Sequence, residues 1–166
     1  MRLFAWIADR FYISTHYADS QLIADELKAF GMTKPIEVLL DKLKYTEKYE
    51  KIAHEGFNVL VMIKNRPKKD QKLRDWIYGI DIIKDIEKKC RQLPKINLVV
   101  VDGTKDMSKI YPIIDFYLRP NRHDGSSRMR QECEIQEIPY YWTNKNPNKN
   151  EAIKKIKFEY SKRFKL

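Results

Sequence analysis

Short apolar runs bounded by turn residues recur along the chain and predict strands. Three of these runs are rich in β-branched residues: Leu3–Ile7, Phe57–Ile63 and Ile96–Val101. Continuous apolar runs of this length are typical of strands that are buried on both faces, as in a parallel sheet. Two aromatic segments also predict strands, namely Phe116–Leu118 and Tyr140–Trp142. The segment Ile36–Leu40 fits either a strand or a helix.

Between these runs, apolar residues recur at helical spacing and predict amphipathic helices in Asp19–Phe30, Asp75–Cys90 and Asn150–Phe164. Gly31 is suited to end the first helix, and Pro94 closes the second. The buried stripe that the spacing predicts for the second helix comprises Trp76, Ile80, Ile83, Ile86 and Cys90. Lysines flank the apolar face of the last helix, so we expect that helix to expose a basic side.

Strands that alternate with amphipathic helices indicate βαβ units, with right-handed crossovers and helices on both faces of the sheet. A length of 166 residues fits one domain, so we expect a single α/β domain over residues 1–166 with a mostly parallel sheet of about five strands. The polar segments Asn121–Ser127 and Thr143–Asn150 are predicted to be exposed loops.

The landmarks that follow Asn58 occur in the order found in receiver domains of bacterial response regulators, and the chain resembles that family over roughly residues 1–120. In VLVMIKNRP, Ile63 stands at the phosphoacceptor position and Arg66-Pro67 takes the place of the usual Met-Pro. In PKINLVVVDG, Asp102 takes the position of the usual hydroxyl residue, and DFYLRP resembles the end of the fifth receiver strand. Residues 121–166 would be a C-terminal extension with a final basic helix.

The resemblance implies a three-layer α/β sandwich of the flavodoxin or receiver type, but without the family's chemistry. Ile63 cannot act as a nucleophile, and Asp102 would repel a phosphoryl group, because phosphoryl transfer to a receiver needs a carboxylate and clustered acids for a divalent cation. We therefore expect a pseudo-receiver, that is, a non-catalytic regulatory or interaction module that docks another protein.

A second and shorter resemblance begins at Asp124-Gly125 and continues to Ile138-Pro139. It is similar to the Asp-x-Gly-Thr-x-x-Glu arrangement of nucleoside 2-deoxyribosyltransferases, which precedes a Pro-hydrophobic strand. The resemblance implies that Glu132 is the nucleophile. It also implies ligand contacts by Ser126, Ser127 and Arg128. The alternative is that a serine caps a helix and the charged residues are exposed.

Asp9 and Asp102 each come directly after a predicted strand. Ligands of parallel α/β sheets bind beyond the carboxyl ends of the strands, so these carboxylates are candidates for a cation or ribose-hydroxyl site. Asp is equally an ordinary residue of turns and helix caps, and Asp102-Gly103 fits a turn. Both interpretations remain open for each residue.

Lys and Arg outnumber Asp and Glu by 33 to 23, which gives a net charge of +10 and favours polyanionic partners. The basic residues cluster in Lys64–Arg74 and in the last helix. The candidate polyanion contacts are Lys64, Arg66, Lys68, Lys69, Lys154, Lys155, Lys157 and Lys162. A sequence-tolerant nucleic-acid-binding accessory protein is therefore one alternative function, and a solvated basic surface is the simpler interpretation.

The absence of several motifs from the sequence narrows the range of expected functions. No Gly-rich phosphate loop follows a strand, and the histidines lack metal-ligand spacing, so we expect neither a cofactor nor a metal. Cys90 and Cys133 are far apart, and no apolar stretch is long enough to span a bilayer, which favours a cytoplasmic protein. An enzyme that processes nucleotides or nucleosides through a strand-end carboxylate is the remaining alternative to the interaction module.

Overall fold

The computed structural model describes residues 9, 15–18, 20–38, 43–63, 71–124 and 127–166. These residues fall into two compact units. The first unit is drawn from Met1–Lys42 and Gly125–Arg128, and the second from Leu43–Asp124 and Met129–Leu166.

The first unit contains a small parallel pair of strands, β1 (His16–Ala18) and β2 (Ile36–Val38), joined through helix α1 (Gln21–Ala29). The Ser20 hydroxyl accepts a hydrogen bond from the Ile23 amide at 3.3 Å, which caps α1. The predicted helix over 19–30 is thus confirmed, and the ambiguous segment that begins at Ile36 is a strand. The predicted strand Leu3–Ile7 lies outside the described residues.

The second unit is built on four parallel strands in the order β4-β3-β5-β6. Its strands are β3 (Phe57–Met62), β4 (Ile96–Val101), β5 (Phe116–Pro120) and β6 (Tyr140–Thr143). Its helices are α2 (Gln71–Ile77), α3 (Ile80–Cys90), α4 (Arg128–Ile135) and α5 (Lys149–Phe164), with single 3₁₀ turns at Met107–Lys109 and Tyr111–Ile113. The prediction of an α/β chain with parallel strands is confirmed, but the described strands form sheets of four and two rather than one of about five.

Side chains of β3 alternate between two hydrophobic clusters, one on each face of the four-stranded sheet. Val59 and Val61 pack with the apolar sides of α3 and α5. Leu60 points to the other face, where Tyr111 and Cys133 belong to its cluster. Both faces of β3 are therefore covered, which explains the continuous apolar run in its sequence.

The segment predicted as one helix over Asp75–Cys90 forms two helices, α2 and α3, that meet at Gly79. Gly79 has φ of +64°, and a Cβ there would lie 2.2 Å from the carbonyl oxygen of Pro120. The break changes the phase of the helix, so Trp76 is 55% exposed although the spacing predicted it to be buried. Ile80, Ile83, Ile86 and Cys90 are buried as predicted.

The segment after β5 is buried in part, so the prediction of an exposed loop over Asn121–Ser127 was wrong. Asn121 is 1% exposed, and Asp124 and Ser127 are also buried. The Asn121 carbonyl accepts a hydrogen bond from the Thr143 hydroxyl at 2.8 Å, which ties this segment to the end of β6. Tertiary hydrogen bonds of this kind override the local polarity of the sequence.

Candidate functional site

The order of the strands creates a switch point between β3 and β5, because the chain passes from β3 to β4 on one side and then to β5 on the other. In open parallel sheets, ligands bind beyond the carboxyl ends of the strands at such a point. Met62 ends β3, and Arg119 is the penultimate residue of β5. We therefore take this edge as the candidate functional site.

Arg119 and Asp124 form an ion pair at this edge. The Arg119 Nε donates to Oδ2 of Asp124 at 2.7 Å, and Nη2 donates to Oδ1 at 2.9 Å. The two side chains are only 13% and 9% exposed. Nη1 of Arg119 lies 3.4 Å from the sulfur of Met62 and 3.4 Å from the Tyr117 hydroxyl. The guanidinium is thereby fixed between β3 and β5.

Trp142 completes the environment of the Asp124 carboxylate. Its indole Nε1 donates to Oδ2 of Asp124 at 2.7 Å. The Arg130 guanidinium carbon lies 5.1 Å from the Trp142 ring centroid, within the range of a cation–π contact. Asp124 thus accepts three hydrogen bonds from two side chains, and its oxygens are committed to holding the loop and β6 together.

Asn121 supplies a buried donor at this edge that has no acceptor among the described residues. Its Nδ2 makes no hydrogen bond there, although the residue is 1% exposed. Leaving a buried amide without a hydrogen bond is costly, and such groups are rare in folded proteins. Asn121 therefore holds a buried donor near the strand ends that lacks a hydrogen bond among the described residues.

Glu132, the predicted nucleophile, is 6% exposed on the inner side of α4. Its Oε2 accepts from the Tyr111 hydroxyl at 2.5 Å, and its Oε1 accepts from the Lys44 amide at 3.3 Å. Burial, and then the hydrogen bond to Glu132, raises the pKa of Tyr111 above its ordinary value. These partners differ from those of the Arg119–Asp124 pair, so the structure does not bring the two groups together through a direct hydrogen bond.

Gln136 follows Glu132 by one helical turn and binds the same stretch of chain. It accepts from the Tyr49 amide at 2.9 Å and donates through Nε2 to the Glu47 carbonyl at 2.6 Å. Glu132 and Gln136 together attach the segment that begins at Lys44 to α4. Their contacts give both residues a role in packing.

The other residues implied by the deoxyribosyltransferase resemblance lie at the start of α4. Ser127 is 2% exposed, whereas Arg128 is exposed on the first turn of that helix. Ser126 lies outside the described residues. Ser127 is thus buried, whereas the sequence predicted it to lie in an exposed loop.

Asp9 lies in the first unit and is completely buried. It accepts hydrogen bonds from the His16 ring at 2.5 Å, from the Thr33 amide and hydroxyl at 2.9 and 2.7 Å, and from the Lys34 amide at 3.3 Å. These contacts, that with His16 foremost, hold the pKa of Asp9 well below its ordinary value. The carboxylate thus links the His16 side chain before α1 to the backbone amides of Thr33 and Lys34 after it.

Asp102, the other candidate at a strand end, forms a local turn. Its Oδ1 accepts from the Thr104 hydroxyl at 2.6 Å and from the Thr104 amide at 3.0 Å. The same two contacts lower the pKa of Asp102. This is the geometry of an Asp-initiated turn, one of the two interpretations that its sequence allows.

The basic candidates divide between the two predicted clusters. Those of the first cluster, Lys64, Arg66, Lys68 and Lys69, lie outside the described residues. Those of the second cluster, Lys154, Lys155, Lys157 and Lys162, are exposed on α5. Lys155 pairs with Glu151 at 3.6 Å and Lys162 with Glu159 at 3.1 Å.

A polar cluster lies at the amino ends of β3 and β5, and the sequence analysis did not predict it. Asp115 accepts from the Asn58 amide at 2.8 Å and lies 3.4 Å from the His54 ring and 3.3 Å from the Arg163 guanidinium. Arg163 also donates to the carbonyls of Gly56 and His54. The cluster attaches the end of α5 to the start of β3, and widely separated sequence positions gave no signal of it.

Among the described residues, no three His, Cys, Asp or Glu side chains are grouped as metal ligands would be. None of the helices described is long and apolar enough to cross a membrane.

No protein-family model matches this chain, and a search of curated proteins found no significant similarity. Both resemblances therefore remain predictions. The receiver alignment makes Phe57–Ile63 the third strand, which in the flavodoxin-type order 2-1-3-4-5 neighbours the first and fourth strands. The observed β3 instead lies between β4 and β5, the strands that the alignment makes fourth and fifth. The order thus gives β3 the position of a first strand, and Ile63 and Asp102 do not occupy the positions that the alignment assigns.

Proposed function

We propose that this chain is a non-catalytic interaction module on a flavodoxin-like α/β fold. The observation that supports this proposal is the engagement of the candidate carboxylates. Asp124 is held by Arg119 and Trp142, and Glu132 by Tyr111 and the Lys44 amide. A nucleophile or general base must have an oxygen within reach of the reacting atom. Here those oxygens accept hydrogen bonds that stabilise the fold.

A second candidate function is binding of a nucleoside or nucleotide at the strand ends. The single observation that favours it is the buried Nδ2 of Asn121, which has no acceptor among the described residues. A carbonyl or ring nitrogen of a base, or a ribose oxygen, would satisfy that donor. Its position follows the end of β5, beside the switch point where ligands of this fold class bind.

A turnover assay and a thermal-shift screen test the first proposal against the second. We expect a panel of nucleosides and nucleotides to give no product and no rise in melting temperature. A ligand that raises the melting temperature of the wild type but not of Asn121→Ala would favour the second candidate. Turnover that Glu132→Gln abolishes would overturn the proposal of a non-catalytic module.

The matched control for Glu132→Gln is Glu134→Gln on the same helix. Glu134 is exposed and accepts hydrogen bonds from Arg130 and from the Tyr140 hydroxyl, so its substitution makes the same chemical change at an exposed carboxylate. Both variants should retain the far-ultraviolet circular dichroism of the wild type. If Glu132→Gln loses turnover while Glu134→Gln keeps it at an unchanged melting temperature, Glu132 is catalytic and the module is an enzyme.

A further inference from the structure

Helices α3 and α5 pack side by side on the same face of the four-stranded sheet. Two contacts fix their direction. Lys149 at the start of α5 pairs with Asp85 of α3 at 2.7 Å, and the Tyr160 hydroxyl near its end donates to the Pro94 carbonyl beyond α3 at 2.9 Å. The two helices therefore run parallel, and their outer sides form one continuous surface, which we call the two-helix face.

The segments that form α3 and α5, with the residues that directly follow each helix, carry most of the excess positive charge of the chain. Residues 80–95 contain five basic and three acidic side chains, and residues 149–166 contain seven basic and two acidic side chains. Seven of the ten net positive charges thus belong to this layer. Charge concentrated on one side creates a local potential that attracts polyanions.

An outward stripe of α5 combines unpaired charge with an exposed ring. Lys154 and Lys157 lie on this stripe and Lys165 follows directly after the helix; within the part of the chain that the structure describes, none of them has a carboxylate at ion-pair distance. Phe158 lies between them and is 59% exposed. The Lys162 ammonium is 4.2 Å from the Phe158 ring centroid, so a cation borders the ring as well.

We propose that the two-helix face binds single-stranded nucleic acid without sequence preference. This proposal rests on the proposed function, since it names the partner of the interaction module. Lysine ammonium groups neutralise backbone phosphates, and an exposed aromatic ring offers a platform on which an unpaired base stacks. Duplex bases are already stacked on each other, so Phe158 selects for single strands.

The inward side of α5 argues against a membrane as the partner. Ile153, Ile156 and Tyr160 face the sheet and belong to its core. A helix that binds a bilayer must present its apolar side to the lipid, whereas α5 presents lysines and a single phenylalanine. A nucleic acid uses both the charge and the ring of the stripe, whereas one exposed ring gives a bilayer little apolar surface to bury.

Fluorescence anisotropy with a labelled oligothymidylate and the full chain tests the proposal over a series of salt concentrations. We expect saturable binding whose logarithm of affinity falls linearly with the logarithm of salt concentration. The triple variant Lys154→Gln, Lys157→Gln, Lys165→Gln should make that slope shallower by about two, at roughly 0.7 for each phosphate that is no longer neutralised. Phe158→Ala should weaken binding by roughly tenfold.

The control is Lys48→Gln, Lys105→Gln, Lys109→Gln, which removes the same charge from exposed lysines outside the two-helix face. It should keep most of the affinity and the slope. Absence of binding at low salt would overturn the proposal, as would equal weakening by both triple variants. Tighter binding to a duplex of equal length or to phosphatidylserine vesicles would also overturn it. None of these results concerns turnover, so failure here is distinguishable from failure of the proposed function.

Discussion

Arg119 and Asp124 form a bidentate ion pair through Nε and Nη2 in which the carboxylate is buried, whereas Arg122 pairs with Asp81 through Nη1 and Nη2 and leaves that carboxylate open to solvent. The shorter N–O distance is 2.7 Å in the first pair and 2.6 Å in the second. The aspartate side chain is 9% exposed in the first pair and 61% exposed in the second. The two pairs belong to one compact unit and are both bidentate with similar N–O distances, so they allow a buried ion pair to be compared with an exposed one.

We expect Asp124→Asn to cost about 3–5 kcal/mol of the free energy of unfolding, because it leaves the buried Arg119 charge without its partner. Asp81→Asn should cost about 1 kcal/mol or less, since water can solvate the groups that it releases. Urea unfolding followed by circular dichroism measures both values. Equal losses in the two variants would show that the Arg119–Asp124 pair contributes no more than a surface contact.

A second comparison is between Gly79, at the junction of α2 and α3, and Gly103, in the turn after β4. Both have positive φ, +64° and +91°, so Ala at either position should cost about 1–2 kcal/mol of backbone strain. A Cβ at Gly79 would also lie 2.2 Å from the Pro120 carbonyl oxygen, whereas at Gly103 its nearest neighbour is the flexible end of Met62 at 3.4 Å. Gly79→Ala should therefore lower the midpoint of urea unfolding more than Gly103→Ala. A similar shift of the unfolding midpoint in both variants would contradict the close approach of Gly79 to the Pro120 carbonyl.

Strands β3 and β4 could be predicted from continuous apolar runs, and β5 and β6 from aromatic residues that favour strands. Burial on both faces explains the run in β3, whereas β4 lies at one end of the sheet and is only partly buried. The break at Gly79 was not predicted, because the apolar spacing continues across it and the close approach of Pro120 to Gly79 is a tertiary feature. The division of the described strands into two sheets had no sequence signal either, since a parallel strand pairs with partners far away along the chain.

Only part of the candidate site could be predicted from the sequence. Arg119 interrupts the apolar run of β5, and a charge within a buried strand requires a partner, so this residue carried a usable signal. Its partner Asp124 lies in a polar segment that resembles an exposed loop, and Asn121 lies in the same segment. Their burial depends on hydrogen bonds to Trp142 and Thr143, which no local pattern specifies.

The first unit should lose stability in acid through Asp9. The hydrogen bonds from His16, Thr33 and Lys34 hold the pKa of Asp9 below its ordinary value of 3.8. The folded form therefore binds fewer protons than the unfolded form, and the stability that results is present above about pH 4 and is lost as the pH falls towards the folded pKa. The Thr33 amide proton, which donates to Asp9, reports on the contact by NMR.

Asp9→Asn should remove this acid-dependent component, and Asp25→Asn on the exposed side of α1 is the control. We expect the Thr33 resonance of Asp25→Asn to follow that of the wild type as acid is added. In Asp9→Asn the resonance should differ from the start and respond much less to pH. Identical titrations of the Thr33 amide in all three proteins would rule out a role for Asp9 in the acid response.

Tyr111 should make the second unit less stable in alkali. Burial, followed by the hydrogen bond to Glu132, raises the pKa of Tyr111 above its ordinary value of 10.0. The native state thus retains a proton that the unfolded state releases, so this contribution is complete below about pH 10 and declines as the pH rises further, by about 1.4 kcal/mol per pH unit.

Tyr111→Phe should be less stable than the wild type at neutral pH, because Glu132 loses a donor, yet its stability should fall less steeply above pH 10. Urea unfolding at a series of alkaline pH values gives both slopes, and parallel slopes would mean that the Tyr111 hydroxyl ionises as readily in the folded protein as in the unfolded chain.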